Sequence, residues 1–341
     1  MQSFGPLLAL FAFVAAPFAA VPAHAAATDA CAIATPSKKV VNVRDTGAKG
    51  DGRADDTRAI QKAIDTVAGS GGTVHVPNGT YMVRAVGKTR LALKSKMTLK
   101  LADRAVLKVI PNDAKSYAAL TVENASDVNI VGGTILGDRR SHKGKQGERG
   151  MGIEIGPKAR RVTIAGVTAA EMWGDGFYLR ESDDVAFCGV KALRNRRQGL
   201  SIISGSRILV TRSEFRDTRG TAPSAGIDIE PNKDHEAVRD VEIERSKFVD
   251  NVGGGISING WKGRIIKVRI THNVFEGSSP IRIKRAPNIR STEVCYNRFI
   301  DKKVADSGGL NSYAEPVQSV IFQSDCSNGL DMRFGKNRSA K

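Results

Sequence analysis

Short segments of alternating apolar and polar residues recur along most of this chain. From about residue 120, one strand type repeats as a three-residue core with mostly apolar ends, at 128–130, 162–164, 185–187, 208–210, 241–243, 268–270 and 292–294. A second strand type begins at residues 152, 176, 199, 226, 255 and 280, which are 24, 23, 27, 29 and 25 residues apart. Such alternation buries one face of each strand and leaves the other face in water.

The period of this repeat predicts the fold. Two or three short strands in every 23–29 residues are typical of a solenoid whose coils stack on one another. A leucine-rich repeat has a similar period, but its leucine and asparagine pattern is missing here. We therefore predict an all-β, right-handed parallel β-helix. The position five residues after each first-strand core should form one buried column, comprising Ile135, Ala169, Ala192, Phe215, Phe248, Phe275 and Phe299.

The segment before the repeat predicts a helical cap. Periodicity indicates a helix from about 57 to 68, and the carboxylates of Asp55 and Asp56 could accept the free N–H groups of its first turn. The predicted apolar face comprises Ile60, Ala63, Ile64 and Val67. Such a helix would cover the open end of a solenoid, which otherwise exposes its apolar interior. We predict one domain over 40–330, with its cap at about 40–80.

Both ends of the chain differ from this domain. An apolar run over 7–16 precedes Ala23-His24-Ala25, and together they predict a signal peptide over 1–25. A polar lead-in follows over 26–39, and a polar tail covers 331–341. The apolar run is too short to span a bilayer, so we predict no membrane span. The predicted location is secreted or periplasmic.

The charge of the chain indicates the class of partner. The 52 Lys and Arg residues exceed the 35 Asp and Glu residues and leave a formal net charge of +17, which attracts polyanions. No nucleic-acid motif or aromatic stacking platform is present, so we expect no nucleic acid. An acidic polysaccharide fits an exported chain better, and a basic surface without a specific partner is the alternative. We expect a monomer.

Four cysteines, Cys31, Cys188, Cys295 and Cys326, permit disulfides in an exported chain. Cys188 and Cys295 occupy the same column four coils apart, roughly 19 Å, and cannot bond each other. Cys295 and Cys326 lie on neighbouring coils and form a plausible pair. Buried free thiols are the alternative.

One stretch near the N-terminus resembles a known family. Residues 43–52 (VRDTGAKGDG), 55–57 (DDT), 60–64 (IQKAI), 72–74 (GTV) and 77–81 (PNGTY) resemble the opening of pectate-lyase-like and rhamnogalacturonase-like β-helices. The resemblance to this pectate lyase superfamily implies the fold. It leaves the reaction open, because the superfamily contains lyases, hydrolases, epimerases and phage tail spikes.

A comparison with the polygalacturonases of that superfamily implies a partial site. Trp173-Gly174-Asp175-Gly176 resembles their first motif and keeps its aspartate. Arg197-Gln198-Gly199 and Ser224-Ala225-Gly226 stand where paired aspartates and Gly-His-Gly are expected. Arg282-Ile283-Lys284 matches their substrate-binding motif, one coil late. Polygalacturonase chemistry is therefore not the leading expectation.

The outward positions of the second strand predict where chemistry could occur. They should stack into two columns, one with Glu154, Tyr178, Ser201, Asp228, Ser257 and Arg282, the other with Gly156, Arg180, Ile203, Glu230, Asn259 and Lys284. The predicted catalytic residues are Asp228, Glu230, Asp175, Lys233 and His235. The predicted substrate-binding residues are Arg282, Lys284, Arg180, Tyr178 and Trp173.

Two mechanisms fit these residues. In a lyase, Lys233, His235 or Arg282 would remove a proton beside a uronate carboxylate, with Asp228 and Glu230 holding calcium as a possible cofactor. In an inverting hydrolase, two carboxylates such as Asp175 and Asp228 would flank the scissile bond. Solvated acidic residues on a solenoid surface are the non-catalytic alternative.

The sequence therefore predicts an exported enzyme that acts on an acidic, uronate-containing glycan, with β-elimination favoured over glycoside hydrolysis. A non-catalytic glycan-binding or envelope protein is the alternative. An exopolysaccharide epimerase is a third option, although the Asp-Pro-His motif associated with alginate epimerases is missing.

Overall fold

A computed structural model describes residues 30–33, 39–277, 281–284, 288–300 and 320–323. These residues wind into a right-handed parallel β-helix of about nine turns, which confirms the predicted fold class. Each turn contributes strands to three parallel sheets of 11, 10 and 8 strands in the described part of the chain. The predicted signal peptide, the tail over 331–341 and Cys326 lie outside the described residues, as does most of the lead-in.

Each sheet is named by its place in the turn. Sheet 1 contains Val40–Asn42, Thr73–Val76, Met97–Leu101, Ser126–Val131, Arg160–Ala165, Ser182–Cys188, Gly205–Thr211, Ala237–Glu244, Arg264–Thr271, Ile289–Cys295 and Val320–Gln323. Sheet 2 contains Asp51–Asp55, Gly79–Val83, Ala105–Val109, Thr134–Leu136, Thr168–Ala170, Lys191–Leu193, Glu214–Arg216, Lys247–Val249, Val274–Glu276 and Arg298–Phe299. Sheet 3 contains Leu91–Leu93, Ser116–Val122, Arg149–Ile155, Phe177–Leu179, Leu200–Ile202, Ile227–Ile229, Ile256–Asn259 and Ile281–Lys284.

The register of neighbouring strands follows the sequence repeat. On sheet 2, Phe215 pairs with Phe248 and Phe248 pairs with Phe275, which confirms this part of the predicted buried column. Their rings stack inside the solenoid with centroids 5.3 and 4.8 Å apart. Parallel strands with little offset place equivalent residues above one another, so one favourable residue type recurs along a column.

Buried asparagines hold the turns beside this core. Asn251 is fully buried; its side chain accepts a hydrogen bond from the Thr218 N–H and donates one to the Phe215 carbonyl. Asn195 and Asn273 form equivalent pairs of bonds on other coils. Each amide therefore satisfies backbone groups that a tight turn leaves without strand partners.

The predicted cap is present as helix α1 (Thr57–Val67). Its predicted apolar face is buried against sheet strands of the first coils. The Asp55 carboxylate accepts a hydrogen bond from the N–H of Thr57, the first residue of the helix, at 3.1 Å. The prediction for Asp56 is wrong, because its carboxylate accepts the N–H groups of Lys49 and Gly50 instead.

A disulfide joins Cys31 to Cys188, 157 residues apart. It anchors the start of the described chain on the outer face of sheet 1, where Cys31 packs against Ala186 and Leu209. The sequence did not predict this pair, and it excludes a free thiol at Cys188. The proposed Cys295–Cys326 pair stays a prediction, because Cys326 is not described.

Among the described residues, none of the helices has the length and apolar character that a membrane span requires.

Candidate active site

The outer face of sheet 3 carries three of the predicted site residues, Tyr178, Asp228 and Arg282, in one column. Along the strand pairs, Glu154 lies beside Tyr178, then come Ser201, Asp228, Ser257 and Arg282, each one rung from the last. Neighbouring rungs are about 4.8 Å apart. The predicted column is therefore correct in order and register.

Asp228 is the most perturbed carboxyl group of this column. Its side chain is buried, with 1% of the residue exposed, and its Oδ2 accepts a hydrogen bond from Gln198 Nε2 at 3.1 Å. Its buried Oδ1 has no hydrogen-bond partner. Burial and the negative charge of Glu230 raise its pKa to about 8, against smaller opposing effects of Ser257 and Arg197. Asp228 therefore holds a proton at neutral pH.

Asp175 lies on the turn that enters sheet 3, two coils before Asp228, and is fully buried. Its Oδ2 accepts hydrogen bonds from Arg197 Nη1 at 2.9 Å and from Ser201 Oγ at 2.8 Å. Its Oδ1 has no hydrogen-bond partner. Burial raises its pKa to about 6, although Arg197 and Ser201 both lower it. Asp175 is therefore ionised at neutral pH while Asp228 is not.

Two residues that the sequence analysis did not select connect these carboxyl groups. Arg197 bonds to Asp175 and lies 3.8 Å from the exposed carboxylate of Glu148, so it runs from the buried site toward the surface. Gln198 donates to Asp228 and accepts from the Ala225 N–H at 2.8 Å. Both replace the paired aspartates expected in a polygalacturonase, and that departure was the signal that could have identified them.

The glycine after Gln198 is required by close packing of the coils. A Cβ on Gly199 would lie 2.3 Å from the Gly226 carbonyl oxygen and 2.7 Å from the Phe215 ring. The residue type at the start of this strand is therefore set by backbone approach.

The second column and its loop form the rim of the site. Glu230 is half-buried, and its Oε1 accepts a hydrogen bond from Asn259 Nδ2 at 2.6 Å. Lys233 and His235 are exposed, and neither side chain forms a hydrogen bond or ion pair with a described residue. The structure therefore does not join these two predicted bases to Asp228.

The calcium prediction depends on the carboxylates of Asp228 and Glu230. Ca²⁺ takes six to eight oxygen ligands. No cluster of three or more His, Cys, Asp or Glu side chains that could hold a metal ion occurs among the described residues. These two carboxylates alone do not fit the ion, so no chemical step is assigned to calcium, which stays a prediction.

The predicted aromatic contacts to substrate are used within the protein. The Trp173 ring stacks on His142 with centroids 4.1 Å apart, and the Arg196 guanidinium carbon lies 3.8 Å from the Trp173 ring centroid. Two groups this close cannot share one face, so both faces of Trp173 are covered. Tyr178 is 5% exposed beneath Arg149. Neither ring offers a free face to a sugar in this structure.

The remaining predicted binding residues lie on the same face. Arg180 follows strand Phe177–Leu179 with its side chain 33% exposed. Arg282 is half-buried and pairs with Ser257 across strands. Lys284 ends its strand opposite Asn259, and its side chain is not described. Their roles in binding stay predictions.

Comparison with known proteins agrees with this architecture. Residues 40–99 match the family described as rhamnogalacturonase A/epimerase, pectate lyase-like, and residues 112–275 match the right handed beta helix region. The chain therefore contains a pectate-lyase-like segment followed by a right-handed β-helix region. The first match confirms the resemblance found near the N-terminus. The second match independently covers the repeat region.

Two curated relatives of this β-helix protein are an uncharacterized protein and an epimerase. It is 28% identical over 257 residues to the uncharacterized protein YclG of Bacillus subtilis, covering 65% of this chain and 44% of YclG. It is 36% identical over 148 residues to mannuronan C5-epimerase AlgE6 of Azotobacter vinelandii, covering 40% of this chain and 17% of the epimerase. The chain thus spans less than half the length of these relatives.

Solved structures share the fold. An exopolygalacturonase from Thermotoga maritima superposes with a TM-score of 0.62 at 16% identity, covering 77% of this chain and 73% of that one. The surface protein and adhesin PfbA of Streptococcus pneumoniae gives 0.59 at 18% identity, covering 76% and 77%. At this identity the likeness establishes the fold alone.

Proposed function

We propose that the protein hydrolyses a glycosidic bond in an acidic polysaccharide, with Asp228 as the general acid and Asp175 as the general base. One observation carries the proposal: two buried carboxyl groups on one face differ in protonation state at neutral pH. Environments that separate two pKa values in this way assign acid and base roles. Asp228 can donate a proton to a leaving oxygen, and ionised Asp175 can accept one from water.

The hydrogen bonds of the pair support these roles. Each carboxyl group has one oxygen bound by protein donors and one buried oxygen without a partner. The bound oxygen fixes the orientation of the group, and the other has no protein partner that a reacting atom would have to displace. Arg197 lies between Asp175 and the surface.

The proposal predicts a bell-shaped pH dependence. Activity needs Asp175 ionised and Asp228 protonated, so it should fall below about pH 6 and above about pH 8. Incubation with polygalacturonate, alginate and glucuronan tests it, with new reducing ends as the readout. Asp228→Asn and Asp175→Asn should each lose at least about 100-fold in kcat. Asp103→Asn is the matched control, because Asp103 is exposed on a distant turn.

A second candidate is proton abstraction beside a uronate carboxylate, as in an epimerase or a lyase. The match to a mannuronan C5-epimerase favours it. An ultraviolet-absorbing unsaturated product would indicate β-elimination, and altered sugar configuration without new ends would indicate epimerisation. Binding without any product would instead support a non-catalytic role like that named for PfbA.

We also propose that the protein is exported. The Cys31–Cys188 disulfide supports this, because disulfides persist in oxidising compartments. Expression in a bacterial host with N-terminal sequencing of the periplasmic or secreted product tests it. A mature chain starting near residue 26 is expected, and retention of an uncleaved, reduced chain in the cytoplasm would contradict the proposal.

A further inference from the structure

Two arginines lie on the face of sheet 3 toward the N-terminal side of Asp228. The Arg149 guanidinium carbon lies 5.1 Å from the Tyr178 ring centroid. Arg180 Nε and Arg149 Nη2 lie 3.8 and 4.0 Å from the same Glu154 Oε1. One carboxylate therefore faces two cations, and neither distance is short enough for a hydrogen bond.

The hydrogen-bond donors of this pair are unused. Neither guanidinium forms a hydrogen bond with any residue that the structure describes, and Arg180 Nε is buried without a partner. Arginines elsewhere on the solenoid behave differently: Arg161 and Arg207 each form two bonds of 2.5 to 3.0 Å to one aspartate on sheet 1. A buried donor without an acceptor is costly, so an anionic group that accepts from these donors would stabilise the pair.

The chemistry of the pair defines that ligand group. Arginine presents its N–H donors in a planar fork that matches a carboxylate, and such charge-assisted bonds are strong. Arg180 Nη1 also lies 3.7 Å from Oε1 of Glu181, but that side chain is 49% exposed, so water screens its charge. One uronate carboxylate could accept hydrogen bonds from the N–H donors that neither glutamate engages.

The position of the pair relates it to the proposed acid. Tyr178, Ser201 and Asp228 occupy successive rungs, so the pair lies about 10 Å from Asp228 along the solenoid axis. This separation suits a neighbouring unit of a glycan that lies along the column.

We propose that Arg149 and Arg180 form an anion subsite that binds the carboxylate of a uronic acid unit on the N-terminal side of the Asp228 position. The proposal rests on the proposed function only in placing the reacting bond at Asp228. The subsite itself distinguishes a charged uronate from its neutral methyl ester.

Binding measurements with defined glycans test the subsite. Oligogalacturonate, its methyl ester and oligomannuronate are titrated calorimetrically into the Asp228→Asn protein, which cannot cleave them under the proposed mechanism. The double variant Arg149→Gln/Arg180→Gln should bind the free acid at least about tenfold more weakly and leave methyl ester binding unchanged. The control Arg161→Gln/Arg207→Gln removes the same charge from sheet 1 and should stay within about twofold.

Two results would overturn the subsite: no binding of either acidic oligosaccharide, or equal losses in the test and control variants. Failure of the proposed hydrolysis is distinguishable. Arginine-dependent binding without cleavage by the wild-type protein would leave the subsite standing and refute the hydrolase. Cleavage with an unchanged KM in the Arg149→Gln/Arg180→Gln variant would do the opposite.

Discussion

The buried carboxyl group of Asp228 makes the stability of this protein depend on pH. The folded state holds its proton up to about pH 8, whereas the unfolded chain releases it near the ordinary value of 3.8. Stability from this group is complete below about pH 4 and is lost as pH rises through about 8. Asparagine cannot ionise, so Asp228→Asn removes the dependence.

The size of the effect follows from the shift. About four pKa units at about 1.4 kcal/mol each set an upper limit of roughly 6 kcal/mol. Local relaxation and water entry on ionisation reduce the effective penalty to a few kcal/mol. At about 2–4 °C per kcal/mol, Asp228→Asn should gain several degrees in Tm relative to wild type between pH 5 and pH 8.5.

Thermal unfolding followed by circular dichroism at pH 5, 6, 7 and 8.5 measures this difference. Asp103→Asn, which changes an exposed carboxylate, should show a constant Tm difference across the range. A Tm difference for Asp228→Asn that is the same at pH 5 and pH 8.5 would refute the assigned burial and protonation of Asp228.

Four further predictions concern the scaffold. Phe248→Ala should lower the free energy of unfolding by about 3–5 kcal/mol in urea titrations, because Phe248 is fully buried between two stacked rings; Phe248→Leu should cost clearly less. Cys31→Ala should lower the free energy of unfolding of the oxidised protein by about 2–4 kcal/mol, because it removes a cross-link between residues that lie 157 positions apart. Under reducing conditions the substitution should cause no further loss. Arg161→Ala should cost less than about 1 kcal/mol, because its pairing with Asp127 is exposed, and a larger loss would mean that the sheet 1 ion pairs form a cooperative network. Gly199→Ala should lower Tm and activity together, since its Cβ meets the backbone of the next coil, and unchanged values of both would contradict the packing.

Much of the fold was predictable because it depends on local repetition. The strand period placed Ser201, Asp228 and Ser257 on successive rungs, and the observed pairs agree. The apolar face of the helix and the phenylalanine column followed from the same kind of pattern. Only relations between neighbouring coils are needed for such predictions.

The candidate site was predictable in part. Asp175 and Asp228 were selected from the sequence, and both are buried with raised pKa values. Arg197 and Gln198 were passed over because they break the pattern of a known family. Their importance depends on side-chain reach between coils, which a strand pattern does not contain.

The loop residues show a different limit. Lys233 and His235 were selected because they follow Asp228 closely in the chain, yet both are exposed without a described partner. Trp173 was predicted to bind substrate, but His142 and Arg196, from other coils, cover its ring. Sequence proximity does not report the direction of a loop side chain.

By itself, the sequence determined the solenoid, its register and the column on which Asp228 lies, because these follow from a repeat of apolar and polar positions. Only the tertiary structure decided that Cys31 pairs with Cys188, that Arg197 and Gln198 hold the two aspartates, and that Arg149 and Arg180 both face Glu154. Those contacts join residues from different coils through side-chain direction and burial. Burial is also what separates the pKa values of Asp175 and Asp228, and it exists only once the coils are stacked.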